Sequence, residues 1–442
     1  IPYDSENEKV ELITLKTINS DGSIHKPTEK EINDITPASE SNASIYSNRK
    51  IKTISMPAVE PGSIVICEYA ILTKERTIEN EFNHEWYFQS SIPVLESKLT
   101  LKVPKDKKIY YEMLNNDITP NIKKEDDYDK YIWEAKNVSK FVSEPHMTSP
   151  NSFLSKVQIT TLSSWDQVSN WYQDFIKDQY KINEEIENKI AELTKDKASE
   201  EDKIEALYNY VTNNIRYIGM QFGESGYKPY SAIETYNNKY EVCKEKGTLL
   251  IALLKNIDVK AEPVLINRGN RFINSKFISP NQFNHLIVYL PKYDLFLDPT
   301  SKNTIFKLLP GDQGKQALLP ESQKMVKTPI QDAAFNQSLV KQDIKIHENK
   351  EASINFKMTF NGFNSFKMKS VFQSIDKEKY PLVFKQILSQ GFSDITMKDQ
   401  SINGINNNSK IVEFKVPKLN AKNYYQTIDD QIIVKPIKLP FN

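Results

Sequence analysis

The sequence is poor in cysteine and histidine, and this excludes several ways of building a protein. Its 442 residues hold two cysteines, Cys67 and Cys243, and five histidines. Two cysteines are too few for a disulfide framework in a chain of this length. No Cys or His pair has the short spacing of a zinc motif, so the sequence implies neither a metal nor an organic cofactor.

Net charge and long apolar runs are also absent. Lys+Arg and Asp+Glu both total 58, so the formal net charge is zero. A neutral chain without a basic aromatic patch argues against nucleic-acid binding. No apolar run is long enough for a transmembrane segment. The sequence begins with Ile1 and has no basic-then-apolar leader, so we expect a processed or trimmed product.

What is present is a globular composition, with 39% hydrophobic and 26% charged residues. The length favours about three domains. Residues 1–150 predict a β-sandwich domain, because runs such as Ser63–Ala70 are rich in Val, Ile and Tyr. The run Lys98–Val103 alternates apolar and polar residues, as a half-buried strand does.

Residues 151–330 predict an α+β core. Ser163 and Ser164 are suited to cap a helix that starts at Trp165, and Ser199 with Asp202 resembles a capping box. A further helix is predicted from about Cys243 to Lys255. Three strand-like runs follow it, at Ala261–Ile266, Leu286–Leu290 and Leu295–Leu297.

Residues 331–442 predict a second β-rich domain. The runs Asp343–His347, Ala352–Phe360 and Lys410–Val416 alternate in polarity. One helix is predicted within this domain, at Glu378–Leu388.

Cys243 is the first candidate for chemistry, because it falls at the first turn of an apolar helix. Unpaired backbone N–H groups and the helix dipole favour a thiolate there. The same N–H groups can hold an oxyanion that forms on an attacked carbonyl. The alternative is a small buried hydrophobe that happens to begin a helix. Cys67 lies in an apolar strand without a nearby His, and we expect it to be a buried structural cysteine.

His285 and Asp298 are the second and third candidates. His285 begins one apolar strand, Asp298 ends the next, and the turn-type sequence Pro291–Asp294 lies between them. In a hairpin of suitable register the two side chains share one face and are within reach. A slip of one residue would point them apart. The functional interpretation is a carboxylate that orients an imidazole general base; the alternatives are a hydrogen-bonded strand histidine and a strand-terminating aspartate.

This order of residues resembles the transglutaminase-like superfamily. The segments GYKPYSAIETYNNKYEVCKEKGTLLIALLKNIDVKAEPVLI and FNHLIVYLPKYDLFLDPTS are similar to the bacterial form of its papain-like core. The resemblance covers about residues 160–305. The flanking β regions resemble domains of unknown function that accompany such cores in bacterial envelope proteins.

The resemblance implies that Cys243 is the nucleophile, His285 the base and then the acid, and Asp298 the residue that orients His285. The family usually has a Gly-Asp pair before its cysteine, where this sequence has Glu241-Val242. The acidic residue two positions after the cysteine is kept as Glu245. The change before the cysteine puts the local loop geometry and the activity in doubt, and an extra Glu near Cys243 opposes thiolate formation.

Other candidate residues rest on position alone. Gln221 and Tyr240 are polar residues upstream of Cys243 and are candidates for a second oxyanion donor. Trp171, Tyr227 and Tyr230 are candidates for a substrate groove, and an aromatic core is the alternative.

Two functions remain open. The first is a cysteine peptidase or amidase, or an acyltransferase if an amine resolves the thioester, acting on a peptide, protein or cell-wall amide. The second is an inactive binding or scaffold protein of the cell envelope. The family resemblance, the β modules and the missing Met favour the periplasm or the cell surface.

Overall fold

The fold was determined as a computed structural model. It describes residues 1–37, 48–217, 227–269, 271–302, 304–349, 351–389, 395–405, 411–421, 425–428 and 431–434. In chain order the α-helices are α1 (Trp165–Ile176), α2 (Glu184–Thr194), α3 (Glu200–Asn214), α4 (Ala232–Asn238), α5 (Cys243–Asn256), α6 (Gly362–Gln373) and α7 (Tyr380–Leu388).

The strands are, in chain order, β1 (Pro2–Asp4), β2 (Glu8–Ile18), β3 (Ile24–His25), β4 (Ile32–Ile35), β5 (Arg49–Ile54), β6 (Ile64–Thr73), β7 (Asn83–Tyr87), β8 (Val94–Pro104), β9 (Tyr110–Leu114), β10 (Asn121–Lys124), β11 (Tyr128–Val138), β12 (Lys156–Thr160), β13 (Arg216–Tyr217), β14 (Tyr240–Glu241), β15 (Glu262–Ile266), β16 (His285–Leu290), β17 (Leu295–Leu297), β18 (Gln316–Leu319), β19 (Lys324–Lys327), β20 (Ser338–Ile346), β21 (Ala352–Phe360), β22 (Ile395–Lys398), β23 (Ser401–Asn403), β24 (Val412–Ala421), β25 (Tyr425–Ile428) and β26 (Gln431–Val434).

Two compact units make up the chain. The first comprises Ile1–Glu187, Arg216–Tyr289 and Lys315–Lys327. The second comprises Asn188–Ile215, Leu290–Gly314 and Thr328–Asn442. The boundaries of the three domains predicted from the sequence stay a prediction.

Antiparallel sheets form the N-terminal part of the first unit, in the orders β1-β5-β4, β3-β2-β6, β10-β11-β8 and β7-β12-β9. Side chains near the end of β11 alternate between buried and exposed, so one face of the strand faces the core. Trp133 lies on that face: it is fully buried and is paired with Leu99 of β8. The small core of this region consists of Phe88, Trp133, Ala135, Val157 and Ile159. β12 is the central strand of its sheet, so the N-terminal sheets extend to Thr160.

The prediction that Cys67 is a buried structural cysteine is wrong. Cys67 is a free, exposed thiol on β6, where Ile64 and Leu72 are also 61% and 49% exposed. β6 pairs with β2 over its whole length. A run of apolar residues identifies a strand, but it does not tell whether another layer covers that strand.

The core part of the first unit starts with α1. The predicted cap is confirmed, because Ser164 is the N-cap residue and forms a capping box with Gln167. One face of α1 packs on strands of the core sheet through Val168, Tyr172, Ile176, Leu265, Leu286 and Leu318. Within this sheet β15 lies between β16 and β18, and β19 pairs with β18, all antiparallel. All five residues of β15 are buried.

The second unit contains the C-terminal sheet, ordered β20-β21-β24-β22, with β23 also paired to β24. Every second residue of β21 is buried, as the alternation predicts. Two helices lie beside this sheet, where the sequence predicts one. The sequence pattern did not predict α6, because the apolar residues of this helix are spread around its circumference. Phe372 and Met368 are buried, whereas Val371 is 40% exposed.

The predicted fold class is confirmed: along the chain, a β-rich N-terminal region is followed by a mixed helical and sheet core and then by a β-rich C-terminal region. Among the described residues, no helix is both long and apolar enough to span a bilayer.

Candidate active site

Cys243 is the first residue of α5 and is buried. The residue before it, Val242, is extended and has no side-chain oxygen that could accept from the first N–H groups of the helix. Because the first turn of a helix has no internal partners for its N–H groups, this end of α5 offers donors and a partial positive charge to an anion.

The position of α5 against β16 is set by a glycine. Gly247 lies one turn after Cys243, and a Cβ atom added there would collide with the side chain of Leu286 and contact that of Val288. Leu286 directly follows His285. Cys243 is therefore about 6 Å along the helix from this contact, and His285 is about 3.3 Å along the strand from it. The packing brings the start of α5 and the start of β16 into one neighbourhood.

His285 is fully buried at the start of β16. The Nη1 atom of Arg268 lies 3.4 Å from its Nε2 atom. A guanidinium has no acceptor, so this contact requires Nε2 to accept and suits a neutral imidazole with its proton on Nδ1. The backbone N–H of Arg268 donates to Asn284 Oδ1 at 2.8 Å, which ties the arginine to the residue before the histidine.

Asp298 belongs to the second unit, where it directly follows β17 and is fully buried. Its Oδ1 atom accepts from the backbone N–H of Thr300 at 2.9 Å and from the Thr300 hydroxyl at 2.5 Å. The Tyr208 hydroxyl donates to the Asp298 carbonyl oxygen at 2.9 Å. These bonds hold the aspartate within its own unit, and its pairing with His285 stays a prediction.

Two charged residues follow Cys243 in the buried first turn of α5. Glu245 is 1% exposed, and its carboxylate lies 3.5 Å from the Lys244 ammonium. Lys244 also donates to the Lys228 carbonyl oxygen at 3.1 Å. The acidic residue that the sequence singles out is thus inside the protein and close to a cation.

Tyr172 is a residue of this neighbourhood that sequence reasoning missed. Burial raises the pKa of its hydroxyl well above the usual value, and negative charge at Tyr180, Cys243 and Glu245 raises it further. The hydroxyl therefore stays protonated, and negative charge on Cys243 or Glu245 acts on it electrostatically. Helical periodicity identified Tyr172 only as a residue of the apolar face, because residue spacing does not show which groups surround the tyrosine hydroxyl.

The two oxyanion candidates cannot be placed at the thiol. Gln221 lies in the stretch 218–226, outside the described residues. The backbone of Tyr240 forms the short strand β14, which is parallel to β13, but its side chain is outside the described part of the structure.

The three groove candidates divide. Trp171 and Tyr227 contact each other edge to face, with ring centroids 4.9 Å apart. Tyr227 is 3% exposed and its hydroxyl donates to Asn281 Oδ1 at 3.2 Å, so it is part of the interior. Tyr230 is 57% exposed. Trp171 is half-buried, so it and Tyr230 are partly accessible, and a substrate groove at these residues stays a prediction.

Sequence comparison matches two parts of the chain to known families. Residues 1–142 match a domain of unknown function with a solved structure, DUF3857. Residues 187–287 match the transglutaminase-like superfamily. The chain therefore carries a transglutaminase-like core behind a DUF3857 region, and the resemblance noted in the sequence is confirmed. No curated protein matches the chain.

Two solved structures are similar. One is named a "putative protease" from Parabacteroides distasonis ATCC 8503; it has a TM-score of 0.63 at 13% identity, and the match covers 96% of this chain and 85% of that chain. At this identity the likeness shows the fold. The other is named a "putative cysteine protease" from Cytophaga hutchinsonii; its TM-score is 0.23 at 12% identity, over 50% of this chain and 78% of that chain, which is too low to support an argument.

Proposed function

We propose that this chain is a thiol-dependent peptidase or amidase of the transglutaminase-like type. The observation that carries the proposal is the packing of Gly247 on Leu286, which brings the uncapped start of the Cys243 helix near His285. A thiol at a helix N-terminus close to an imidazole is an arrangement suited to nucleophilic catalysis.

The proposed reaction proceeds in two stages. His285 takes the thiol proton, and the Cys243 sulfur attacks the carbonyl carbon of an amide. The resulting oxyanion is held by N–H groups of the first turn of α5. The amide C–N bond breaks, the leaving amine takes the proton from His285, and a thioester remains. Water, deprotonated by His285, then attacks the thioester and releases the acid and the thiol.

Asp298 is proposed to orient the imidazole of His285. If an amine replaces water in the second stage, the product is a new amide and the protein acts as a transglutaminase. A peptide, protein or cell-wall amide is the proposed substrate class, and the name of the structural neighbour makes peptides the first to test. The periplasm or cell surface is the proposed location.

The test is the rate of Cys243 alkylation by iodoacetamide as a function of pH, read by mass spectrometry. The wild type is compared with His285→Ala and Asp298→Ala, and His25→Ala serves as a histidine control in the N-terminal region. Cys67 is an exposed thiol and gives an internal reference in every sample.

We expect Cys243 in the wild type to react below pH 7, and we expect both site variants to slow it while Cys67 and the His25→Ala protein are unchanged. The proposal fails if Cys243 reacts only as pH approaches about 8.5, the usual thiol value, with no dependence on His285. A substrate screen with peptides and amine acceptors follows the first outcome.

The complete burial of Cys243 favours a second candidate, an inactive binding or scaffold protein of the cell envelope. In that case Cys243 would not be alkylated in the native protein at any pH and would react only in denaturant.

A further inference from the structure

The segment that leads into His285 connects β15 to β16 and includes residues 267–269 and 271–284. It is held together by its own amide side chains. Asn267 Nδ2 donates to the Gln282 carbonyl oxygen at 2.8 Å, and the Asn274 N–H donates to Gln282 Oε1 at 2.8 Å. Gln282 Nε2 returns a bond to the Asn274 carbonyl oxygen at 3.0 Å. Gln282 is only 1% exposed and Asn274 is half-buried, so the Gln282 end of this network is shielded from solvent.

The same segment is also bound to the N-terminal sheet β7-β12-β9. Asn274 Nδ2 donates to Glu112 Oε2 at 2.5 Å and to Gln158 Oε1 at 2.6 Å. Glu112 on β9 and Gln158 on β12 are directly paired across the two strands. Their acceptors therefore converge on one amide, and neighbours in a sheet are rigidly spaced.

Further bonds from the same sheet hold the rest of the segment. Ser279 Oγ and Asn281 Nδ2 each donate to Asn83 Oδ1 at 2.9 Å. The Thr160 hydroxyl donates to the Ile278 carbonyl oxygen at 2.8 Å. Arg271 forms an ion pair with Glu85, which is on β7. The contacts thus extend from Arg271 to Asn281, four residues before the histidine.

A connection of this length without strands would ordinarily be mobile. A displacement of a catalytic side chain by about 1 Å can lower the reaction rate on the order of 100-fold. Because several of the groups involved are buried and fully hydrogen-bonded, the network favours one arrangement of the segment over its alternatives. That arrangement fixes where β16 starts, and hence where the His285 ring is anchored.

We propose that the N-terminal β region is the positioning element of the active site, and that Asn274, held by Glu112 and Gln158, positions His285. This inference rests on the proposed function and assigns a role in it to the DUF3857 region. Asn274 acts through His285 and does not touch the reacting atoms.

The experiment uses the full chain and two readouts: Cys243 alkylation against pH, and hydrogen exchange of peptides spanning residues 271–290. Asn274→Ala removes both donors. We expect at least tenfold slower alkylation of Cys243 below pH 7, with a profile moving toward that of His285→Ala, and faster exchange in these peptides. Phe272→Ala is the matched control, because Phe272 is in the same segment and 69% exposed.

A second pair of variants separates positioning from general destabilisation. Glu112→Gln keeps an acceptor for Asn274 and is expected to behave like the wild type. Glu112→Leu removes that acceptor and leaves only Gln158, so both readouts should shift in the direction of Asn274→Ala. This pair also decides the matter if Asn274→Ala does not fold.

The outcomes distinguish the two proposals. If His285→Ala leaves Cys243 alkylation unchanged, the proposed chemistry fails, and the hydrogen exchange alone decides whether the sheet orders the segment. If His285→Ala slows alkylation but Asn274→Ala and Glu112→Leu match the wild type in both readouts, the positioning role is overturned.

Discussion

Arg268 and His285 are neighbours in space, with the guanidinium Nη1 atom 3.4 Å from the imidazole Nε2 atom. A fixed positive charge beside the ring disfavours a second positive charge on it. Two unit charges 4 Å apart repel by about 4 kcal/mol at an effective dielectric of 20. In this arrangement Arg268 opposes formation of the imidazolium that a thiolate–imidazolium pair requires.

The first prediction is that Arg268→Gln makes Cys243 more reactive. Removing the charge should raise the alkylation rate of Cys243 at pH 6 about tenfold, which corresponds to ~1.4 kcal/mol of relieved repulsion. The measurement is alkylation followed by mass spectrometry. Arg76→Gln, which removes an exposed charge from the N-terminal region, is the control. An unchanged or lower rate in Arg268→Gln would show that the arginine does not restrain the histidine.

The second prediction contrasts two buried tyrosines. Tyr208 donates to the Asp298 carbonyl oxygen at 2.9 Å, whereas the Tyr172 hydroxyl has no hydrogen-bond partner among the described residues. Tyr208→Phe should lower the free energy of unfolding of its unit by about 1–2 kcal/mol, because it leaves a buried carbonyl with one donor fewer. Tyr172→Phe should be neutral or slightly stabilising.

Hydrogen exchange reports the two substitutions separately, since peptides from α3 follow Tyr208 and peptides from α1 follow Tyr172. Equal destabilisation by both substitutions would contradict the assignment and would indicate a partner for the Tyr172 hydroxyl.

Part of the site could be predicted from the sequence, because it depends on local patterns. The helix that starts at Cys243 follows from its leucine spacing, and β16 from the apolar run after His285; the structure has both. The capping boxes at Ser164 and Ser199 are also local signals, and both are present. Such features need no knowledge of what packs against them.

The remaining features depend on tertiary contacts, which no local pattern encodes. The Tyr172 hydroxyl near Cys243, and the convergence of Glu112 and Gln158 on Asn274, involve residues that are far apart in sequence. The predicted burial of Cys67 is wrong for the same reason: an apolar run indicates a strand, but only the full fold shows which faces of that strand are covered.

The third prediction concerns the packing of α5 on β16. Gly247→Ala places a methyl group against Leu286, a buried residue of the core cluster. Overpacking of this kind costs ~1–3 kcal/mol, and the better helix propensity of alanine returns at most about 1 kcal/mol. We expect a net loss of about 1–2 kcal/mol in the free energy of unfolding.

The control for Gly247→Ala is the double variant with Leu286→Ala. Leu286→Ala alone should destabilise by about 2–5 kcal/mol through its cavity. The double variant should cost less than the sum of the two single changes, because the added methyl group enters the space that is vacated. Strict additivity in urea unfolding would exclude a direct contact between the two positions.

The fourth prediction concerns Lys369 in α6, which is fully buried and whose pKa is lowered by that burial to about 8. Below pH 8 the native and unfolded states both hold the proton, so the cost of burying the charge is present in full. Between about 8 and 10.4, the usual value, the unfolded state binds more protons than the native state, so the free energy of unfolding rises with pH.

Lys369→Met keeps the apolar stem and removes the charge, so it should stabilise the C-terminal sheet at pH 7 by at most about 3 kcal/mol. The advantage should shrink as pH rises to about 10, because the wild-type ammonium is then neutral in the native state. Hydrogen exchange of peptides from β21 measures both effects. Lys367→Met, two positions away and exposed, is the control and should change little at either pH. A constant difference between Lys369→Met and the wild type across this range would mean that the Lys369 ammonium is not destabilised by its surroundings.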